Sequence, residues 1–306
     1  MSNTRRTFLQ SAAVAAGIAN SGRIEAAPAE KPPAATVQVP KMKFFHLEIS
    51  RMVLGVNPFY GFSHFNHIYD TMMAQWYTQD RVMEVMHRAE AFGINAMNYV
   101  QLGRALEDWN RFKAEGGKMH LVCQCIGDPE PVIKGAKPEA MYCQGEQTDR
   151  AYQNGELDSI REWCKKVRDA GVIVGVGTHK PEVIEQVESE GWDVDFYAGC
   201  VYNRSRTTDE WKQVLNGNLT EMPGEIYLKS DPARMYKVMR TTKKPCFAFK
   251  IMAAGRISDK GADQAFQTAF ESIKPTDGVF VGMFPRVKDE IKENAERVHR
   301  ILTRNA

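Results

Sequence analysis

The stretch Val172-Ile173-Val174-Gly175-Val176-Gly177-Thr178-His179-Lys180-Pro181-Glu182 reads as an apolar strand, a polar strand end and the first turn of a helix. An uncharged run rich in β-branched residues is the pattern of a parallel strand buried on both faces. Pro181 suits a first helical position, where its missing N–H is not needed. Gly175-Val176-Gly177 lacks the third glycine and the spacing of a dinucleotide fingerprint, so the glycines are read as permitting close packing. An amphipathic stretch at 156–169 precedes this strand and another at 181–189 follows it.

The same alternation continues in both directions. Strands are expected near 51–56, 94–99, 119–125 and 139–143 before it, and near 194–200, 246–251 and 278–283 after it. Helices are expected over 79–91, 103–115, 231–241, 260–272 and 287–303, whereas the link at 129–136 is short for one. Thr78 opens an acidic first turn and Gly93 closes that helix. Eight β units with their helices, filling 43–306, fit a single (β/α)8 TIM barrel. A doubly wound open sheet is the alternative.

The 306 residues are 43% hydrophobic and 25% charged, with a mean hydropathy of −0.42, which argues against a multispan membrane protein and a disordered chain. Lys and Arg number 40 against 38 Asp and Glu, too even a balance for a dedicated nucleic-acid binder. Residues 1–27 read as an export signal. Arg5-Arg6-Thr7-Phe8-Leu9 before the small apolar run from Ala12 to Ala19 resembles a twin-arginine signal. That run is shorter than the ~20 residues of a membrane span, so no permanent anchor is expected. Residues 28–42, with four prolines, then form an extended leader. The expected partner is the twin-arginine translocase, and the expected location periplasmic or extracellular. Removing 1–27 takes away three arginines and one glutamate, so the +2 charge belongs to the signal. Six cysteines show no C-x-x-C pair and read as small core residues.

In such a barrel, function belongs at the C-terminal strand ends. The first of these, Asn57-Pro-Phe-Tyr60-Gly-Phe-Ser-His64-Phe-Asn-His67, combines aromatics with hydrogen-bonding groups and suits a sugar or another polar ring. His64 and His179 are the acid/base candidates. Lys250 ends the otherwise apolar strand Cys246-Phe-Ala-Phe-Lys250. A lysine facing inward there would form a Schiff base, protonate an enolate or bind an anion. Asn57, Tyr60, Asn98, Gln124, Gln144, Tyr202 and Asn203 are candidates for orienting a substrate. Gly255 with Arg256, and Gly282 with Arg286, follow the last two strands, where an anionic cofactor group would sit. His64, Glu146, Asp149 and His179 are the available metal ligands, but no two share a helical spacing, so no metal site is expected.

Several segments resemble the aldo/keto reductase superfamily. They are Val167-Arg168-Asp169-Ala170-Gly171 running on to Glu182, Asp193-Val194-Asp195-Phe196 leading to Tyr202-Asn203, Val279-Phe280-Val281-Gly282-Met283 with Glu293-Asn294, and Ala91-Phe92-Gly93-Ile94-Asn95. The resemblance implies a barrel fold and NAD(P)-linked carbonyl chemistry. It also implies an Asp after strand two, a nearby Tyr acid, a Lys after strand three and a His after strand four. Asn98, the neighbourhood of Gly103, Gln124 and Gln144 stand at those places, so the chain looks like a diverged, exported branch without the tetrad. The leading expectation is an exported barrel enzyme acting on a carbohydrate-like or other polar carbonyl compound by acid/base or lysine-assisted lyase, isomerase or aldolase chemistry. A diverged NAD(P)-linked oxidoreductase and a non-catalytic small-molecule binding barrel are the alternatives.

Overall fold

A computed structural model describes residues 32–217, 225–257 and 259–304; the expected export signal lies outside them. Eight parallel strands close into a barrel: β3 (Met52–Gly55), β4 (Ala96–Val100), β5 (His120–Cys125), β6 (Ala140–Cys143), β7 (Ile173–Thr178), β8 (Phe196–Cys200), β9 (Cys246–Phe249) and β10 (Gly278–Gly282). The ring closes through β10 and β3, with Val279 opposite Met52 and Gly282 opposite Gly55. This is a (β/α)8 TIM barrel, as expected, and the open sheet is excluded. β9 stops two residues short of the expected end because Lys250 takes a left-handed backbone, φ 63°.

Between the strands, the helices 79–91, 181–189 and 231–241 have the expected bounds. The Thr78 side chain accepts from Arg81 N, and Gly93 at φ 77° turns the chain out of the first of them. Helices at His67–Trp76, Glu130–Ala136, Gly145–Asn154 and Thr208–Val214 were not anticipated. The first begins where the Asn66 side chain accepts from Tyr69 N, and the last carries a full Thr207–Glu210 capping box.

A further hairpin, β1 (Lys41–Phe44) and β2 (Leu47–Ser50), precedes the barrel. It alternates: Met42, Phe44 and Ile49 are buried while Lys41, Lys43 and Glu48 face water. The apolar face packs with Val53, Val122, Tyr142, Phe196, Phe247 and Phe280 in the barrel interior. Phe44 meets Phe196 and Phe247 edge-on, both at 5.4 Å. The hairpin therefore plugs the N-terminal end of the barrel. Residues before it also pack onto the protein, since Val39 is buried and donates its N–H to Phe92 O. A second, larger apolar cluster fills the layer between strands and helices, and all six cysteines are buried and unpaired.

Candidate active site

With the lower interior filled, open space remains at the C-terminal strand ends, where a cavity of about 460 Å³ lies. Asn57, His64, Asn98, Gln124, Gln144, His179, Lys250, Gly255 and Gly282 all line it, so most of the sequence candidates converge. The floor is a hydrogen-bonded chain. Asn98 Nδ2 donates to Tyr142 Oη at 2.9 Å, and the Tyr142 hydroxyl donates to Gln124 Oε1 at 3.3 Å. Burial holds the Tyr142 hydroxyl far above its ordinary titration range, which keeps it a neutral donor.

His179 follows β7 and is fixed by Asp149, which is fully buried on the helix 145–154. Asp149 Oδ2 accepts from His179 Nδ1 at 2.7 Å, from its backbone N at 3.0 Å and from Ser205 Oγ at 2.7 Å, while Oδ1 accepts from Thr178 Oγ1. This places the imidazole proton on Nδ1 and leaves Nε2 as an acceptor, 3.5 Å from Arg204 Nη1. Gly145 makes room for the ring: a Cβ there would stand 3.1 Å from His179 Cε1 and from Thr178 N. The sequence alone offers Asp149 as a scattered metal ligand; in the structure its carboxylate accepts from both N–H groups of His179.

Lys250 stands across this wall. Among the described residues its ammonium has no hydrogen bond or ion pair, and the half-buried side chain lines the cavity. Burial, and then the Arg204 charge, push its pKa down to about 7, against the weaker opposing pull of Cys200 and Glu225. Two more left-handed residues, Ala253 and Ala254, follow before Gly255. Non-glycine residues adopt this conformation at a cost of about 1–2 kcal/mol each, and such strain collects where a site demands a particular geometry.

His64, the other acid/base candidate, also lines the cavity. Its Nε2 accepts from Asn57 Nδ2 at 3.1 Å and its Nδ1 donates to Glu225 Oε1 at 2.8 Å, so both ring nitrogens are engaged. Burial lowers its pKa despite Glu225, leaving a neutral ring that braces the loop. Glu225 is the residue that sequence reading missed. Burial would raise its pKa, but the His64 hydrogen bond, the Lys250 charge and the Tyr227 hydroxyl at 2.5 Å hold it at about 2. It also pairs with Arg204 Nη2, a second residue not anticipated. Neither sits in a periodic or motif-bearing segment.

The remaining candidates lie outside the cavity lining. Tyr60 donates to Asp108 at 3.2 Å, Tyr202 meets Tyr227 edge-on at 5.0 Å, and Asn203 Oδ1 accepts from Ser205 N. The arginines expected to take a dinucleotide's phosphates do not fit that role. Arg256 donates to His64 O at 2.9 Å and Glu225 O at 3.2 Å and lies over the Tyr227 ring at 4.3 Å, while Arg286 is exposed beyond the cavity. Among the described residues no three His, Cys, Asp or Glu side chains form a metal-binding group; His64 pairs with Glu225 and His179 with Asp149, while Glu146 lines the cavity as an exposed residue.

No family model and no curated protein matches the sequence. Solved barrels do match in shape. A truncated 3-deoxy-D-arabino-heptulosonate 7-phosphate synthase from Thermotoga maritima is 12% identical, over 87% of this chain and 91% of that one, with a TM-score of 0.52. A phospho-2-dehydro-3-deoxyheptonate aldolase from the same organism is also 12% identical, over 88% and 76%, with a TM-score of 0.51. The neighbours include aldo/keto reductases, among them a glycerol dehydrogenase from Gluconobacter oxydans at 12% identity over 88% and 97%, TM-score 0.40. At these identities the likeness is one of fold, and the chemistry rests on the site.

Proposed function

We propose that this barrel is an enzyme that uses the Lys250 amine to activate the carbonyl group of a polar substrate, for a lyase, aldolase or isomerase reaction. The observation that carries this reading is a lysine on a left-handed backbone, without a hydrogen bond or ion pair among the described residues, that lines the cavity together with His179. A lysine poised near neutrality keeps a large share of free amine, the form that attacks a carbonyl.

The chemistry proceeds as follows. The Lys250 lone pair forms a C–N bond to the carbonyl carbon as the C=O π bond breaks, and the oxygen takes a proton given up by the attacking nitrogen. The carbinolamine hydroxyl takes a second proton, from solvent, and leaves as water; the iminium that remains draws electrons from an adjacent C–H or C–C bond. The proton released in that step goes to His179 Nε2, whose ring Asp149 holds in the receiving tautomer. Reprotonation and hydrolysis of the imine return the amine. The hydroxyl of Tyr142 and the amides of Asn98, Gln124 and Gln144 orient the substrate's oxygens.

Borohydride trapping tests the reading. The protein is incubated with glycolaldehyde, dihydroxyacetone or pyruvate, reduced, digested and analysed by mass spectrometry. Reductive labelling concentrated on Lys250 and absent from Lys250→Met is the expected result. Labelling spread over surface lysines, with Lys250 untouched by all three probes, would overturn it.

A further inference from the structure

The mouth of the cavity carries large apolar side chains that water still reaches: Phe62 at 45% exposure, Phe65 at 42%, Ile68 at 60% and Tyr69 at 43%. Of these, Phe62, Phe65 and Tyr69 line the cavity itself. Scattered exposed apolar residues are ordinary, but a contiguous group held rigid on a pocket rim marks a binding surface.

Rigid it is. Asp70 Oδ1 accepts from Ser63 N at 2.7 Å and from Ser63 Oγ at 2.6 Å, Ser63 Oγ accepts from Phe65 N at 3.0 Å, and Asn66 Oδ1 accepts from Tyr69 N at 2.9 Å. Phe65 meets Tyr69 edge-on at 5.4 Å, and the Arg256 guanidinium lies over the Phe65 ring at 5.2 Å. Arg256 thus backs the rim from within the protein, and its own fixed hydrogen bonds hold it there.

The space below the rim exceeds the needs of a small carbonyl compound, since cavities of this size enclose drug-sized ligands. Its polar lining includes the side-chain amides of Asn57, Asn98, Gln124 and Gln144, which both donate and accept, beside charged groups such as Glu146, Arg204 and Lys250. We infer that the rim is a subsite for a pyranose ring, and that the substrate is a saccharide whose carbonyl reaches Lys250. A pyranose presents a C–H face to aromatic rings and hydroxyls at its edge to amides, which is the division found here. An acyl chain would bury the cavity's charged groups and the remaining hydrogen-bonding capacity of those amides unmatched, at a desolvation cost. The inference rests on the proposed function for the carbonyl, and on the rim alone for the ring.

Calorimetric titration of the full-length protein with cellobiose, and with sorbitol as an open-chain polyol, tests it. Cellobiose should bind with a millimolar Kd and sorbitol about tenfold more weakly or not at all. Phe62→Ala and Tyr69→Ala, both at exposed positions and checked for unchanged melting, should each weaken cellobiose by about tenfold, the weight of one ring's contact. Equal binding of the two polyols, no binding of cellobiose, or rim variants that melt normally and bind as wild type would each overturn the subsite. A protein that binds cellobiose through the rim but traps no carbonyl probe on Lys250 keeps the subsite and loses the lysine chemistry. One that traps a probe without rim dependence does the reverse.

Discussion

Replacing Lys250 by Met tests the environment of the amine without any substrate. The amine titrates at about 7 in the fold and ordinarily at 10.5. At about 1.36 kcal/mol per unit, that gap corresponds to a burial cost of at most about 5 kcal/mol, and access of water from the cavity reduces it to about 2–4 kcal/mol. The sign follows from where the proton sits. Below pH 7 the amine is charged in both folded and unfolded chains, so the fold carries the whole cost of enclosing an ammonium. Between pH 7 and 10.5 the folded amine is neutral while the unfolded one is still charged, and the cost shrinks with rising pH. Methionine fills similar space without charge. Lys250→Met should therefore be more stable than wild type by about 2–4 kcal/mol at pH 6, with the gap closing steadily toward pH 10. Urea unfolding at pH 6, 8 and 10, with matched m-values, measures this. A gap that does not change with pH, or a variant less stable at pH 6, would refute the reasoning and place the ammonium in contact with water.

Asp149→Asn should cost about 2–3 kcal/mol, because an amide cannot accept from Thr178, Ser205 and both His179 N–H groups at once; urea midpoints would show it, and a change under 0.5 kcal/mol would contradict it. Phe44→Ala should destabilise by about 3–5 kcal/mol through the cavity left in the barrel plug, as read by thermal or urea unfolding. Glu225 titrates at about 2 in the fold against 4.5 ordinarily, so its contribution is present above pH 4.5 and is lost as pH falls toward 2. Glu225→Gln should accordingly flatten the loss of stability between pH 4.5 and 2.5, and an unchanged acid limb would show that the carboxylate is not held as described.

The barrel was legible because each strand is a short apolar run bounded by turn residues, and a strand buried on both faces must look that way. Lys250 was legible for the same reason, as the one charge ending an apolar segment. The plug was legible in principle: Lys41-Met-Lys-Phe44 and Leu47-Glu-Ile-Ser50 alternate with a period of two, but the prolines upstream favoured reading an extended leader. Glu225 and Arg204 were not legible. Both stand in irregular segments, and only the closing of the ring brings them to His64 and His179 across 161 and 25 residues of chain. For His64 the sequence gives type and place but not what occupies its two nitrogens.

The hairpin beneath the barrel has a kinetic side. With Phe44 wedged against Phe196 and Phe247, the described residues close the N-terminal end, so a product of the proposed reaction would leave by the path its successor takes. Under the proposed chemistry, traffic would then be sequential: a slowly departing product would block the next arrival, and turnover would be governed at the mouth as much as at the amine.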